Sequence, residues 1–242
     1  MTTKTILIQN PSGGTLTDEA DIYLKRLPLD GAHMIELGCG SAMHTRIIAE
    51  TGRPASILAC EVDVRQHQKN LAITDLPTVH FVLAGAESIP APDASVDIVM
   101  MFKSLHHVPM NLMATALQEI ARVLRPGGLA YISEPVYAGD FNEVLRLFND
   151  EGAVRQAAFS AVKSAVNDGL LELVEQIFFN IPNHFDDFAH FERRILQVTY
   201  SDHSLLPALH ETVRNRFEAF MGPDGANFVM PIRVDLLRRP TD

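Results

Sequence analysis

Along the first 135 residues, short apolar runs rich in β-branched residues alternate with longer segments whose apolar positions recur every three to four residues. "HMIEL" (33–37), "SILACEV" (56–62), "VHFVLA" (79–84), "VDIVMMF" (96–102) and "GLAYISEP" (128–135) read as strands. "AMHTRIIAE" (42–50), "RQHQKNLAI" (65–73) and "NLMATALQEIARVL" (111–124) read as helices, the last setting Leu112, Ala116, Ile120, Val123 and Leu124 on one face. Gly52 and Pro54 stop the first helix and "RPGG" (125–128) stops the last. This alternation predicts an α/β fold with a doubly wound, mostly parallel sheet and right-handed crossovers. Ligands of such sheets bind at the carboxyl ends of the strands, where strand order reverses.

Beyond residue 138 the rhythm changes. A helical region over 140–168 leads to a strand over 170–179, two helices over 185–198 and 204–221, and a closing strand over 227–237. Pro231 inside that last strand predicts an edge or a bulge. At the other end, a glycine pair precedes a helix start at Thr17–Asp18. No repeat, low-complexity tract or long linker interrupts the 242 residues. The expectation is one domain, with an N-terminal segment (1–30), a core (31–137) and a C-terminal part (138–242) whose helices cap the sheet.

Charge narrows the partners. A formal net charge of -10 without a basic stripe argues against nucleic acid, which is bound by neutralising phosphates. Cys39 and Cys60 fall in glycine-turn and strand contexts and read as reduced apolar residues. The first residues lack the pattern of a secretory signal, and no apolar stretch approaches the ~20 residues that span a bilayer. A cytoplasmic protein without a membrane partner, monomeric or homodimeric, is expected.

The first strand runs into "MIELGCGSAMHT" (34–45). A dinucleotide fingerprint needs a third glycine, and Met43 stands there instead. Glu36 moreover would repel a pyrophosphate. A cation reverses that sign: S-adenosylmethionine, with its sulfonium and ammonium groups, is attracted by an acid beside a turn whose glycines let the backbone approach closely. The next strand ends in two acids, Glu61 and Asp63, that share a face. Asp63, closer to the carboxyl end, is the preferred acceptor of ribose hydroxyls.

The stretches "MIELGCGSA", "ACEVDVRQ", "GAESIPAPDASVDIVMMFKSLHHV" and "LQEIARVLRPGGLAYISEP", in this order over residues 33–135, resemble the class I S-adenosylmethionine-dependent methyltransferases, in the branch acting mainly on small molecules. The resemblance implies a seven-stranded Rossmann-like sheet with a helical insertion between the last two strands. It implies that Glu36, Gly38, Cys39 and Gly40 surround the methionine part of the cofactor, that Glu61 and Asp63 lie at the ribose, and that Ala86, Glu87 and Phe102 complete the pocket. Many relatives carry an aspartate where Gly85 stands; Glu87 or a backbone carbonyl would replace it.

Chemistry is less local. One of His106 and His107, in "KSLHHVP" (103–109), suits a general base for an acceptor hydroxyl or amine. In-line positioning of nucleophile, methyl and sulfur also serves without a base, contributing ~7–11 kcal/mol. Glu134, Tyr137 and His184 are candidate acceptor contacts. His33, His44, His184 and His203 show no metal-ligand spacing and no C-x-x-C exists, so no metal is expected. The phenylalanines of "FFNIPNHFDDFAHF" (178–191) read either as a lid over the acceptor or, preferably, as packing for extra helices. Methyl transfer to an O, N, S or C atom of a small molecule is the leading expectation. A protein that binds the cofactor without transfer, or a nicotinamide oxidoreductase, are the alternatives. The N/D-P-P-Y/F/W motif of enzymes that methylate flipped bases is absent after the fourth strand.

Overall fold

A computed structural model describes residues 6–10, 13–197 and 205–241. Its first half contains β1 (Thr15–Leu16), α1 (Glu19–Arg26), β2 (His33–Leu37), α2 (Met43–Ile47), β3 (Ser56–Glu61), α3 (Val64–Asn70), β4 (Val79–Leu83) and β5 (Val96–Phe102). The second contains α4 (Met113–Val123), β6 (Leu124–Pro135), α5 (Asp140–Leu145), α6 (Gly152–Asn167), β7 (Glu172–Phe185), α7 (Phe188–Phe191), α8 (Pro207–Glu218), β8 (Met221–Gly222) and β9 (Gly225–Arg238).

The strands form one sheet in the order β1-β7-β9-β6-β5-β2-β3-β4, with β8 on β9. Setting aside the two-residue β1 and β8, this is the expected seven-stranded α/β sheet, parallel from β4 through β6. β9 runs antiparallel to both its neighbours. The chain moves outward through β2, β3 and β4, then returns to lay β5 on the opposite side of β2. Strand order therefore reverses between β2 and β5, and sheets of this kind bind ligands at the carboxyl ends of the strands at such a point.

Side-chain alternation divides the sheet between two cores. Ile35, Leu37, Val99, Met101, Ala130 and Ile132 face α4 and α6. Met34, Met100, Tyr131, Val234 and Leu236 pack with Tyr23 of α1 and Ile48. Both faces are covered, so the strands are apolar nearly throughout. A third core lies outside the sheet proper. There β7 and β9 continue past β6 as a two-stranded arm, and Phe185 and Phe228 of the arm pack with Phe141 of α5, Phe188 and Phe191 of α7, and Phe217 of α8. The helical insertion between the last two long strands is thus present, and it carries its own core.

Several element boundaries differ from expectation, each for a local reason. The expected helix over 140–168 is two, because the Asp150 carboxylate accepts the Gly152 N–H at 3.0 Å and the Tyr137 hydroxyl at 2.8 Å, resetting the chain before α6. β7 runs to Phe185 rather than 179, and the helix expected over 185–198 shrinks to α7 followed by a wide turn at Glu192–Leu196. The helix expected over 204–221 is α8, and residues 198–204 lie outside the described ones. "RPGG" does end α4 but is drawn into β6, where the register shifts between Val96 and Ile98 and Gly127 takes φ +81°. Pro231 is not on an edge strand, since β9 lies between β7 and β6. It stands one residue past the last β6 pair, Pro135 with Ile232, and its carbonyl accepts the Val136 N–H at 2.9 Å. β6 departs there, so the missing N–H interrupts no β6 ladder.

Candidate active site

At the end of β2 the backbone makes its turn with Gly38 at φ +74°, Gly40 at φ +53° and Ala42 at φ +63°. A Cβ on Gly38 would also come within 2.7 Å of the Ser104 Cβ, so glycine is required there twice over. A Cβ on Gly40 would meet nothing within 4 Å, so that turn faces open space. The Gly38 and Cys39 N–H groups both donate to the Cys60 carbonyl at 2.9 Å. The Glu61 carboxylate completes the link between β2 and β3. One oxygen accepts the Gly40 N–H at 2.8 Å, the other the Val62 and Asp63 N–H groups at 2.8 and 2.9 Å.

Asp63 has a structural part besides the one expected of it. Its Oδ1 accepts the Arg65 N–H at 2.9 Å and caps α3, while Oδ2 is buried without a partner. Glu36 is 2% exposed and accepts the Thr45 hydroxyl at 2.6 Å. Burial pushes its carboxyl up to about 8, opposed by the Thr45 bond and aided by the Glu61 charge. The Cys39 thiol, buried beside Asn70, is likewise pushed up by burial, and Cys60 is raised to about 12. Both thiols are free. On the far side of the turn, Ala86 is buried in the first core. A Cβ at Gly85 would run into the Glu87 carboxylate, which folds back into the space a side chain at 85 would fill.

Phe102, at the end of β5, belongs to a set that the sequence pattern did not reveal. It stacks on His44 at 4.1 Å and meets Tyr23 and Tyr131 at 5.3 and 5.6 Å. The Tyr23 hydroxyl lies 3.3 Å from His44 Nδ1, and burial lowers His44 to about 4, so the ring is neutral near pH 7. Beside it the buried Glu19 pairs with Lys103. Spacing tested His44 only as a metal ligand; nothing local in α1 points to Tyr23 or Glu19.

On the other side of β5 the loop turns back over β6. His106, its side chain 3% exposed, places Nδ1 2.7 Å from Glu134 Oε2, and the other Glu134 oxygen accepts the Leu105 N–H at 3.0 Å. With a Glu134 oxygen as its acceptor, His106 carries a proton on Nδ1, and Nε2 is turned towards Glu151. His107 lies against this ring at 4.1 Å between centroids, and desolvation followed by the His106 charge lowers it below the usual imidazole value. Glu151 Oε2 stands 3.8 Å from His106 Nε2 and accepts from Arg155 at 2.6 and 3.1 Å. Ligand atoms of His106, His107 and Glu151 all lie within 4.8 Å of one another, a grouping that sequence spacing does not show. Arg155 already supplies the positive charge at that carboxylate.

Tyr137 and Glu134 both line a cavity of about 180 Å³ next to this pair. His184 does not join them. It is exposed on the arm and is bonded to Asn227 at 2.9 Å and Asp186 at 3.1 Å. The arm phenylalanines are buried in their own core and line none of this cavity. His203 lies outside the described residues. No helix among the described residues is long and apolar enough to cross a membrane.

The chain is similar to known proteins in sequence and in fold. The profile of a methyltransferase domain matches residues 35–132, the span from β2 to β6. An O-methyltransferase of Penicillium expansum is 32% identical over 170 residues, covering 62% of this chain and 59% of its own. A fatty-acid O-methyltransferase of Mycolicibacterium smegmatis is 31% identical over 105 residues, covering 41% of this chain and 36% of its own. The chain therefore spans well under two thirds of these curated relatives. In fold, the YcgJ protein of Bacillus subtilis superposes with a TM-score of 0.62 at 16% identity over 91% of this chain and 97% of that one.

Proposed function

We propose that this chain, which belongs to the class I S-adenosylmethionine-dependent methyltransferases, transfers a methyl group to an oxygen of a small-molecule acceptor. The observation that carries the reading is the His106–Glu134 pair at 2.7 Å, set at the carboxyl ends of β5 and β6 beside a cavity. The O-methyltransferases among the relatives support oxygen as the acceptor atom.

The residues at the strand-order reversal fit S-adenosylmethionine. Open space above Gly40, a buried acid at Glu36 and the Glu61 carboxylate at the turn suit a cation with a ribose. When bound, the cofactor supplies an electrophilic methyl on a sulfonium. Glu36, which burial keeps protonated near pH 7 in the ligand-free chain, would release that proton as the cation binds and then balance its charge in a region of low dielectric, where such a pairing is worth more than in water. Glu61 holds the turn and presents its carboxylate to the vicinal hydroxyls, with the unpartnered Oδ2 of Asp63 next to it. Glu87, filling the place of a side chain at 85, receives the adenine amino group. At the acceptor, His106 Nε2 would take the hydroxyl proton, and the oxygen would receive the methyl that the cofactor supplies. Glu134 stabilises the resulting imidazolium through Nδ1.

The test pairs two measurements. Calorimetry with S-adenosylhomocysteine should give binding in the micromolar range, while NADH gives none. With labelled methyl donor and a panel of phenols, alcohols and acids, transfer should require His106. Binding without transfer across that panel would favour a protein that uses the pocket differently.

A further inference from the structure

The 180 Å³ cavity is bounded by the ends of β6 and β9, the first turn of α6, and residues 8–9 of the N-terminal segment. Among its lining residues are Ile8, Gln9, Glu134, Tyr137, Arg155 and Arg233. Glu134 and Arg233 are direct cross-strand partners, so the residue that holds His106 and the arginine rise side by side from the sheet.

Arg233 is 2% exposed and held on three sides. Its Nε donates to Asp235 at 2.9 Å, its Nη1 donates to the Ile8 carbonyl at 3.3 Å, and its guanidinium lies over the Phe159 ring at 4.9 Å. Nη2 is buried with no hydrogen-bond partner. An unsatisfied donor on a charged group costs more than the ~1–3 kcal/mol of a neutral one, so an acceptor atom that reaches Nη2 relieves that cost. The surrounding charges are already engaged. Glu134 is held by His106 and the Leu105 N–H, and Glu151 by Arg155 and Asn149. Asp235 is held by Arg233 and by Gln176 at 2.6 Å, and Arg155 also donates to Asn142 at 3.2 Å. Among the described residues lining the cavity, Arg233 is the one with a charged donor left over.

We propose that this cavity binds the carboxylate of the methyl acceptor through Arg233, beside the Glu134 that holds His106, which makes the acceptor a hydroxy-carboxylic acid. The proposal rests on the methyl-transfer reading for the word acceptor, whereas the carboxylate site stands on its own residues. A charge-assisted bond to a guanidinium is roughly twice as strong as a neutral one, so an acid should be preferred over its uncharged amide. The wall has no surplus of positive charge, and the preference therefore arises from this one contact.

The experiment is calorimetry of the full chain with the three hydroxybenzoates and their amides, with and without S-adenosylhomocysteine. At least one acid should bind tenfold or more tightly than its amide. Arg233→Met combined with Asp235→Leu removes the buried ion pair as a pair, avoiding a stranded carboxylate, and should bring that ratio close to one while leaving S-adenosylhomocysteine affinity within twofold. Gln9→Glu, at an exposed position on the roof, should weaken the acid at least threefold and leave the amide unchanged. Equal binding of acid and amide, no binding of any probe, or a ratio that survives both variants would overturn the proposal. An acid preference in a protein that does not bind S-adenosylhomocysteine would keep the carboxylate site and remove the methyl-transfer reading.

Discussion

The two sides of the candidate site are built by different means. On the β2–β3 side the working parts are backbone: three positive-φ residues, amide groups on Cys60 and Glu61, and a carboxylate from 21 residues away. On the β6–β9 side they are side chains brought from far apart. His106 meets Glu134 across 28 residues, Gln176 meets Asp235 across 59, and Arg233 meets Ile8 across 225. A backbone-built site keeps its shape under most substitutions and serves one ligand class. A side-chain-built site can be rewritten residue by residue, and it is where members of one fold diverge.

That contrast predicts which changes separate binding from turnover. The largest effect is expected for His106→Ala, with kcat falling about 10²- to 10⁴-fold while S-adenosylhomocysteine affinity stays within twofold by calorimetry. A comparable loss of cofactor affinity would mean that the two sides are not independent. Phe191→Ala comes next, at about 3–5 kcal/mol from a fully buried ring. Hydrogen exchange should then accelerate in α5, α7 and α8 while amides of β2 to β5 remain protected; uniform acceleration would join the arm's core to the sheet's.

Smaller effects sharpen the cofactor side. Glu61→Ala frees three N–H groups and should weaken S-adenosylhomocysteine tenfold or more, whereas Asp63→Ala should cost about 1 kcal/mol of stability through its cap and less affinity. The reverse ranking would return the ribose to Asp63. Glu36 gives the smallest and most gradual signal. Its carboxyl keeps a proton up to about pH 8 when folded but has an ordinary value of 4.5. The folded state thus binds the extra proton between those values, and stability falls as pH rises through that window. Glu36→Gln should flatten melting temperature against pH over the same range, and an unchanged profile would place the titration elsewhere.

Legibility in the sequence follows the same division. The strand–turn–helix alternation, the glycine turn with Glu36, and the Asp18 cap on α1 are local patterns, and the sheet could be read from them. That the Glu87 carboxylate could reach the space beside Gly85 was legible, because it sits two residues away. That Asp63 also caps α3 was not, because Glu61 and Asp63 share a face and only the folded backbone shows which one bonds the helix start. Arg233 sits in an alternating strand pattern like any other polar position, and the partners that give it meaning lie on β6, α6 and the N-terminal segment. The exposure of His184 on the arm was likewise not legible, because its place depends on how far β7 and β9 run past β6.

The bond between Arg233 and the Ile8 carbonyl has a consequence for synthesis. Gln176 grips Leu7 as well, accepting its N–H at 2.8 Å and donating to its carbonyl at 3.0 Å. Both anchors belong to β7 and β9, which are translated 169 and 225 residues after the segment they hold. The roof of the cavity therefore waits for β9 to be made, and contacts of such sequence separation form late in folding. The pocket proposed for the acceptor closes only on a polypeptide that has been made through β9.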